Sequence, residues 1–165
     1  MAEQLVIRMK RPLTKPISEP VWPAGIRLVP FDPDRHVERV HALLVAAYAQ
    51  GGGFMAPFEV WWPYVKNNPE YDPALCFIAE TEPGEVVGLA LCWTDAFLKD
   101  LAVASAVRGQ GLGSALLCHV FQVFRERGAP FIELKVHADN PSGAVRLYRS
   151  HGFEDVETFK LAIPA

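Results

Sequence analysis

The stretch Val107-Arg108-Gly109-Gln110-Gly111-Leu112-Gly113-Ser114 restricts what this chain can fold into more than any other. It lies between the apolar run 97–104 and the amphipathic segment 114–127, so it reads as strand, glycine turn, helix. Glycines at alternate positions let the backbone turn tightly and come close to a ligand, because any Cβ would obstruct both. The helix beyond the turn aims its unpaired N–H groups and the positive end of its dipole back at it, where phosphate is the natural occupant. On spacing alone, a purely structural turn stays open. Two other glycine-loop readings fail. A Walker loop needs Gly-Lys-Ser/Thr, but Ser114 directly succeeds Gly113; a dinucleotide fingerprint needs a third glycine or alanine, but Gly109-x-Gly111 leads to Ser114 and Gly111-x-Gly113 to Leu116.

Around this turn the pattern is that of one α/β domain. Residues 1–24 gather prolines and basic residues, which suggests an arm wrapping the surface, with at most a short edge strand where Leu5, Ile7 and Met9 alternate. From Gly25 to Ala165 the spacing predicts a first strand at 26–29 and a helix at 34–49 with Val37, Val40, His41, Leu44, Ala47 and Tyr48 on its buried stripe, ended by Gly51-Gly52-Gly53. The aromatic segment 54–68, interrupted by Pro63, reads as a short kinked helix. Its aromatics belong either to the core or to a lid over a pocket. A hairpin comes next at 75–80 and 85–93, turned by Pro83-Gly84, and then a strand at 97–104. After the central helix, a strand at 131–137 should run parallel to 97–104 through a right-handed crossover. Asn140-Pro141 predicts the start of a helix over 142–150 with Gly152 closing it, and alternation over 153–163 gives a last strand.

The formal charge of −3 offers no argument for nucleic acid or an anionic membrane as partner. No run approaches the roughly 18 apolar residues of a membrane span, and Met1 to Leu5 carry no signal-peptide pattern, so the expected location is cytoplasmic. Cys76, Cys92 and Cys118 are scattered through apolar segments, which fits buried reduced thiols; no metal-ligand set stands out.

Arg108-x-x-Gly111-x-Gly113 matches the pyrophosphate motif of the GCN5-related N-acetyltransferase (GNAT) superfamily, and Asn140, Ala144, Leu147, Tyr148 and Gly152-Phe153 match its second signature. The chain resembles that superfamily over nearly all of Gly25 to Ala165. The resemblance implies residues 1–24 as an N-terminal arm and 25–165 as the N-acetyltransferase domain. It also implies the GNAT (acyl-CoA N-acyltransferase) fold, a mixed, mostly antiparallel seven-stranded sheet with splayed parallel fourth and fifth strands and about four flanking helices. The expected reaction is acetyl transfer from acetyl-coenzyme A to an amine by direct attack in a ternary complex.

By this resemblance the coenzyme is bound by Leu101, Ala102 and Val103 along the pantetheine, by Arg108, Gly109, Gln110, Gly111, Leu112, Gly113 and Ser114 at the pyrophosphate, and by Asn140 and Tyr148. Val103 N–H is placed to stabilise the tetrahedral oxygen and Tyr148 to protonate the departing thiolate. The alternative for Tyr148 is a half-buried helix residue whose hydroxyl bonds a local acceptor, and the two motifs together favour the donor role. An alkylamine with a pKa of about 10.4 must also lose a proton. Asp100, Glu133, His137, Glu80 and Asp95 are the candidate bases. His137 is chosen because imidazole titrates nearest neutrality, although alternation puts Glu133, Lys135 and His137 on a face that could simply meet water. The expected acceptor is a small-molecule primary amine, entering past residues 51–62. A protein lysine or N-terminal acetyltransferase and a non-enzymatic acyl-coenzyme A module are alternatives. Pairing through the edge Phe159 to Ile163 would allow a homodimer.

Overall fold

The computed structural model describes residues 3–51 and 54–162. The strands are β1 (Glu3–Pro12), β2 (Ile26–Val29), β3 (Cys76–Thr81), β4 (Val86–Trp93), β5 (Phe97–Val103), β6 (Phe131–His137) and β7 (Glu154–Ala162); the helices are α1 (Pro33–Gly51), α2 (Phe58–Lys66), α3 (Leu112–Glu126) and α4 (Ala144–Ser150). All seven strands form one mixed sheet in the order β2-β3-β4-β5-β6-β1-β7. Only β5 and β6 run parallel, and they share a single registered pair, Phe97 with Glu133, before they diverge. This is the splay expected of strands 97–104 and 131–137. Among the described residues no helix is long and apolar enough to cross a membrane.

The sheet divides the buried apolar residues into two clusters. Leu116, Leu117, Val120, Phe121 and Phe124 of α3 pack with Ile132, Leu134 and Val136 of β6 and with Tyr148 of α4 on one face. Val40, Leu43 and Leu44 of α1 and Trp61 and Val65 of α2 pack with Ile78, Leu89 and Leu91 on the other. Of the aromatics in α2, Trp61 is buried and belongs to this core. The helix runs through Pro63, and Asn67 N–H donates to the Pro63 carbonyl at its end. Gly52 and Gly53, expected to close α1, and Ile163, expected in the last strand, lie outside the described residues.

Two expectations give way. The segment expected to wrap the surface forms, over its first half, an interior strand. β1 pairs antiparallel with β6 from Val6–His137 to Pro12–Phe131 and with β7 on its other side. Its basic residues Arg8 and Lys10, partly exposed, are drawn to one carboxylate. Arg8 Nη1 lies 2.7 Å from Glu133 Oε1 and Lys10 Nζ 3.6 Å from the same oxygen. Met9 and Ile7 meanwhile face the α3 core. The second concerns α4, which begins at Ala144 and not at Ser142. The Asn140 side chain accepts from Ser142 N–H at 2.9 Å and Ser142 Oγ at 2.6 Å, closing a local turn, and Gly143 at φ 80° then starts the helix without a side-chain cap.

Candidate active site

Where β5 and β6 diverge, a cavity of about 420 Å³ opens between them. Leu101, Ala102 and Val103 of β5 form one wall, and the turn 107–114 closes one end. Of the stretch Arg108 to Ser114, only Gln110 does not line it. Gly111 caps α3 in the left-handed conformation at φ 88°, so the backbone of the turn curls over the helix start. The N–H groups of the first turn of α3 have no intrahelical acceptor and are available to an anion. Gly113 sits where a Cβ would come 3.3 Å from Leu147 of α4, so the absence of a side chain lets α3, α4 and β5 meet around the cavity. Ser114 Oγ is held 2.9 Å from His151 Nε2, which ties the turn to the end of α4. Burial, and then the Arg11 charge, push the His151 imidazole below its ordinary range.

The backbone of β5 is oriented for a second task. Ala104 N–H donates to Val87 O on β4 at 2.8 Å. Backbone N–H groups alternate sides along a strand, so the Val103 N–H points away from β4, into the gap beside β6.

Tyr148 of α4 and His137 at the end of β6 both line the cavity. Tyr148 is buried, its ring set edge-on to Phe153 at 5.6 Å. Burial first, and the Asp100 charge second, push its phenol well above the usual range, so it stays protonated. His137 Nδ1 is buried and has no partner among the described residues. Asn140 also lines the cavity.

The remaining candidate bases are separated by the fold. Asp100 lines the cavity; Glu133, Glu80 and Asp95 do not. Glu133 is taken by Arg8 and Lys10. Glu80 is buried on β3 and held by Arg35 and by His36 Nε2 at 2.8 Å. His36 Nδ1 accepts from Asp32 N–H, so this cluster braces the start of α1. Residues 54–62, expected at the acceptor entrance, contribute nothing to the cavity wall. Leu44, Ala47 and Tyr48 of α1 line it instead, joined by Lys99 and Lys135. Tyr48 is the residue that sequence reasoning missed: its hydroxyl donates to Asp100 Oδ1 at 2.6 Å, and its only signal was membership of a helical apolar stripe.

A model of the Acetyltransferase (GNAT) family matches residues 39–153. A mycothiol acetyltransferase of Thermobispora bispora is 34% identical over 163 residues, covering 88% of this chain and 52% of that protein. One of Streptomyces griseus is 30% identical and covers 83% of this chain and 46% of its own. The chain spans about half the length of the curated relatives it matches. In three dimensions it is similar to a GCN5-related N-acetyltransferase from Sphaerobacter thermophilus, with a TM-score of 0.80 and 28% identity over 96% of this chain and 50% of that one.

Proposed function

Because the chain belongs to the GNAT acetyltransferase family, we propose that it transfers an acetyl group from acetyl-coenzyme A to a primary amine of a small molecule, by direct attack in a ternary complex. The observation that carries this reading is one cavity lined at once by the glycine turn, the diverging β5 edge, Tyr148 and His137. Relatives named mycothiol acetyltransferases support the same reading.

The donor supplies a thioester. Arg108 and the N–H groups at the start of α3 hold its pyrophosphate, and Leu101 to Val103 run beside the pantetheine. His137, whose side chain lines the cavity, takes the proton that the amine must lose, directly or through one water. Val103 N–H donates to the oxygen of the tetrahedral intermediate. Tyr148 Oη, kept protonated by burial and by Asp100, gives its proton to the sulfur as the C–S bond breaks.

The test is thiol release from acetyl-coenzyme A across a panel of amines, polyamines and peptides. Small amines are expected to release thiol with formation of the N-acetyl product; release with peptides alone would overturn the small-acceptor reading. Tyr148→Phe should lower kcat about 10²-fold. An unchanged maximal rate over the alkaline range would remove Tyr148 from the donor role.

A further inference from the structure

The cavity contains a charge that makes no direct contact with substrate in these transfer steps. Asp100 is 5% exposed, and its two oxygens are engaged separately. Tyr48 Oη donates to Oδ1 at 2.6 Å, and Lys99 Nζ to Oδ2 at 2.9 Å. A carboxylate is taken out of water at great cost unless cations and donors replace the solvent. Glu80, the other buried carboxylate among the described residues, is compensated away from the cavity and serves the fold. Asp100, Tyr48 and Lys99 instead all line the cavity.

An irregularity in β5 puts Asp100 there. Leu91 pairs with Asp100 and Cys92 with Leu98, so Lys99 has no opposite residue on β4. This extra residue breaks the alternation. Leu98 packs in the α3 cluster while Ala102 packs in the α1 cluster, although strict alternation would put both on one face. Asp100 falls on the α1 side with Ala102, where Tyr48 reaches it from the helix.

What Asp100 accepts is already visible, for Lys99 Nζ is a primary alkylammonium. That nitrogen lies 5.9 Å from the Tyr64 ring centroid and 6.0 Å from that of Trp93, at the outer reach of a cation–π contact, so the carboxylate is its principal partner. An acceptor amine arrives at neutral pH as the same chemical group.

We propose that Asp100, set by Tyr48, is the ammonium-binding subsite for the acceptor, and that an incoming primary ammonium exchanges with Lys99 Nζ at Oδ2. The acceptors are therefore cationic alkylamines. This inference rests on the acetyl-transfer reading. Attack on the thioester returns positive charge to the nitrogen as the N–C bond forms, and the same carboxylate stabilises that charge. Tyr48 acts through Asp100 and is a positioning residue.

Benzylamine, cationic at pH 7, and benzyl alcohol, of the same shape without charge, are suitable probes, monitored by NMR titration of the whole chain. The wild-type protein is expected to bind benzylammonium about tenfold more tightly than the alcohol, Asp100→Asn to lose that preference and Tyr48→Phe to reduce it. Lys99→Met removes the competing cation, so it should bind benzylammonium more tightly than wild type and gain more thermal stability from it. That variant keeps both Asp100 and Tyr48 and decides the matter if Asp100→Asn fails to fold. Equal binding of the two probes to wild type, a preference that survives Asp100→Asn, or weaker benzylammonium binding by Lys99→Met would each overturn the proposal. Calorimetry with coenzyme A separates the two readings. No coenzyme binding by wild type defeats acetyl transfer, whereas coenzyme binding without any ammonium preference defeats the subsite alone.

Discussion

A buried nitrogen without a hydrogen bond costs free energy, and His137 Nδ1 is such an atom among the described residues. The fold gains nothing from that nitrogen, which sets up a separation between stability and activity. His137→Asn is expected to leave the thermal midpoint unchanged or slightly raised while lowering kcat about 10²-fold, as scanning calorimetry and the thiol-release rate would show. A large fall in the midpoint with kcat preserved would make His137 a structural residue. The sequence could offer His137 as one of five bases because residue type and strand alternation are local properties. It favoured His137 by residue type alone, because the contacts that engage the carboxylates come from far along the chain. Glu133 meets Arg8 at a separation of 125 residues, Glu80 meets His36 at 44, and Asp100 meets Tyr48 at 52. Nothing in a helical stripe reveals that one tyrosine hydroxyl on it ends on a carboxylate.

Among the elements, the contact of α3 with β4 decides where the glycine turn sits. At Gly88 of β4 a Cβ would come 2.9 Å from Leu112 Cδ2, 3.1 Å from Ala79 Cβ and 3.2 Å from Leu116 Cδ1. Gly88→Val should therefore destabilise the protein by about 2 kcal/mol and displace the start of α3, weakening coenzyme A binding at the same time. Gly111→Ala meets no neighbour within 4 Å but must hold φ 88°, a backbone strain of about 1–2 kcal/mol. Urea unfolding and calorimetry with coenzyme A would measure both. If Gly88→Val kept full affinity, α3 would not need this close approach to present the turn. The glycines at 109, 111 and 113 are legible because their spacing is a contiguous signal. Gly88 is one glycine in a strand, and its importance belongs to a helix that begins 24 residues later.

At the level of the whole molecule, β1 closes the sheet between β6 and β7, and Arg11 near its end fastens the N-terminal segment to the end of α4. The Arg11 guanidinium donates to the carbonyls of His151, Pro12, Lys15 and Pro16 and lies over the Phe121 ring. Burial lowers the affinity of both His151 and His119 for a proton. Their folded-state pKa values lie below the ordinary 6.5, so the unfolded chain binds more protons and stability falls as the pH drops through and below that value. The thermal midpoint is expected to be lower at pH 5.5 than at pH 7.5, with a smaller difference in a His119→Gln, His151→Gln double variant; an equal difference there would place the effect elsewhere. The sequence by itself determined the glycine turn, the succession of strands and helices from 26 onward, and the family, because each is written in periodicities and motifs a few residues long. Tertiary structure alone decided that β1 is interior, that one unpaired residue at Lys99 turns Asp100 toward α1, and that Tyr48 meets it there. Strand pairing and side-chain contact join residues tens to more than a hundred positions apart, and no local pattern records which of many compatible partners a backbone or a carboxylate will find.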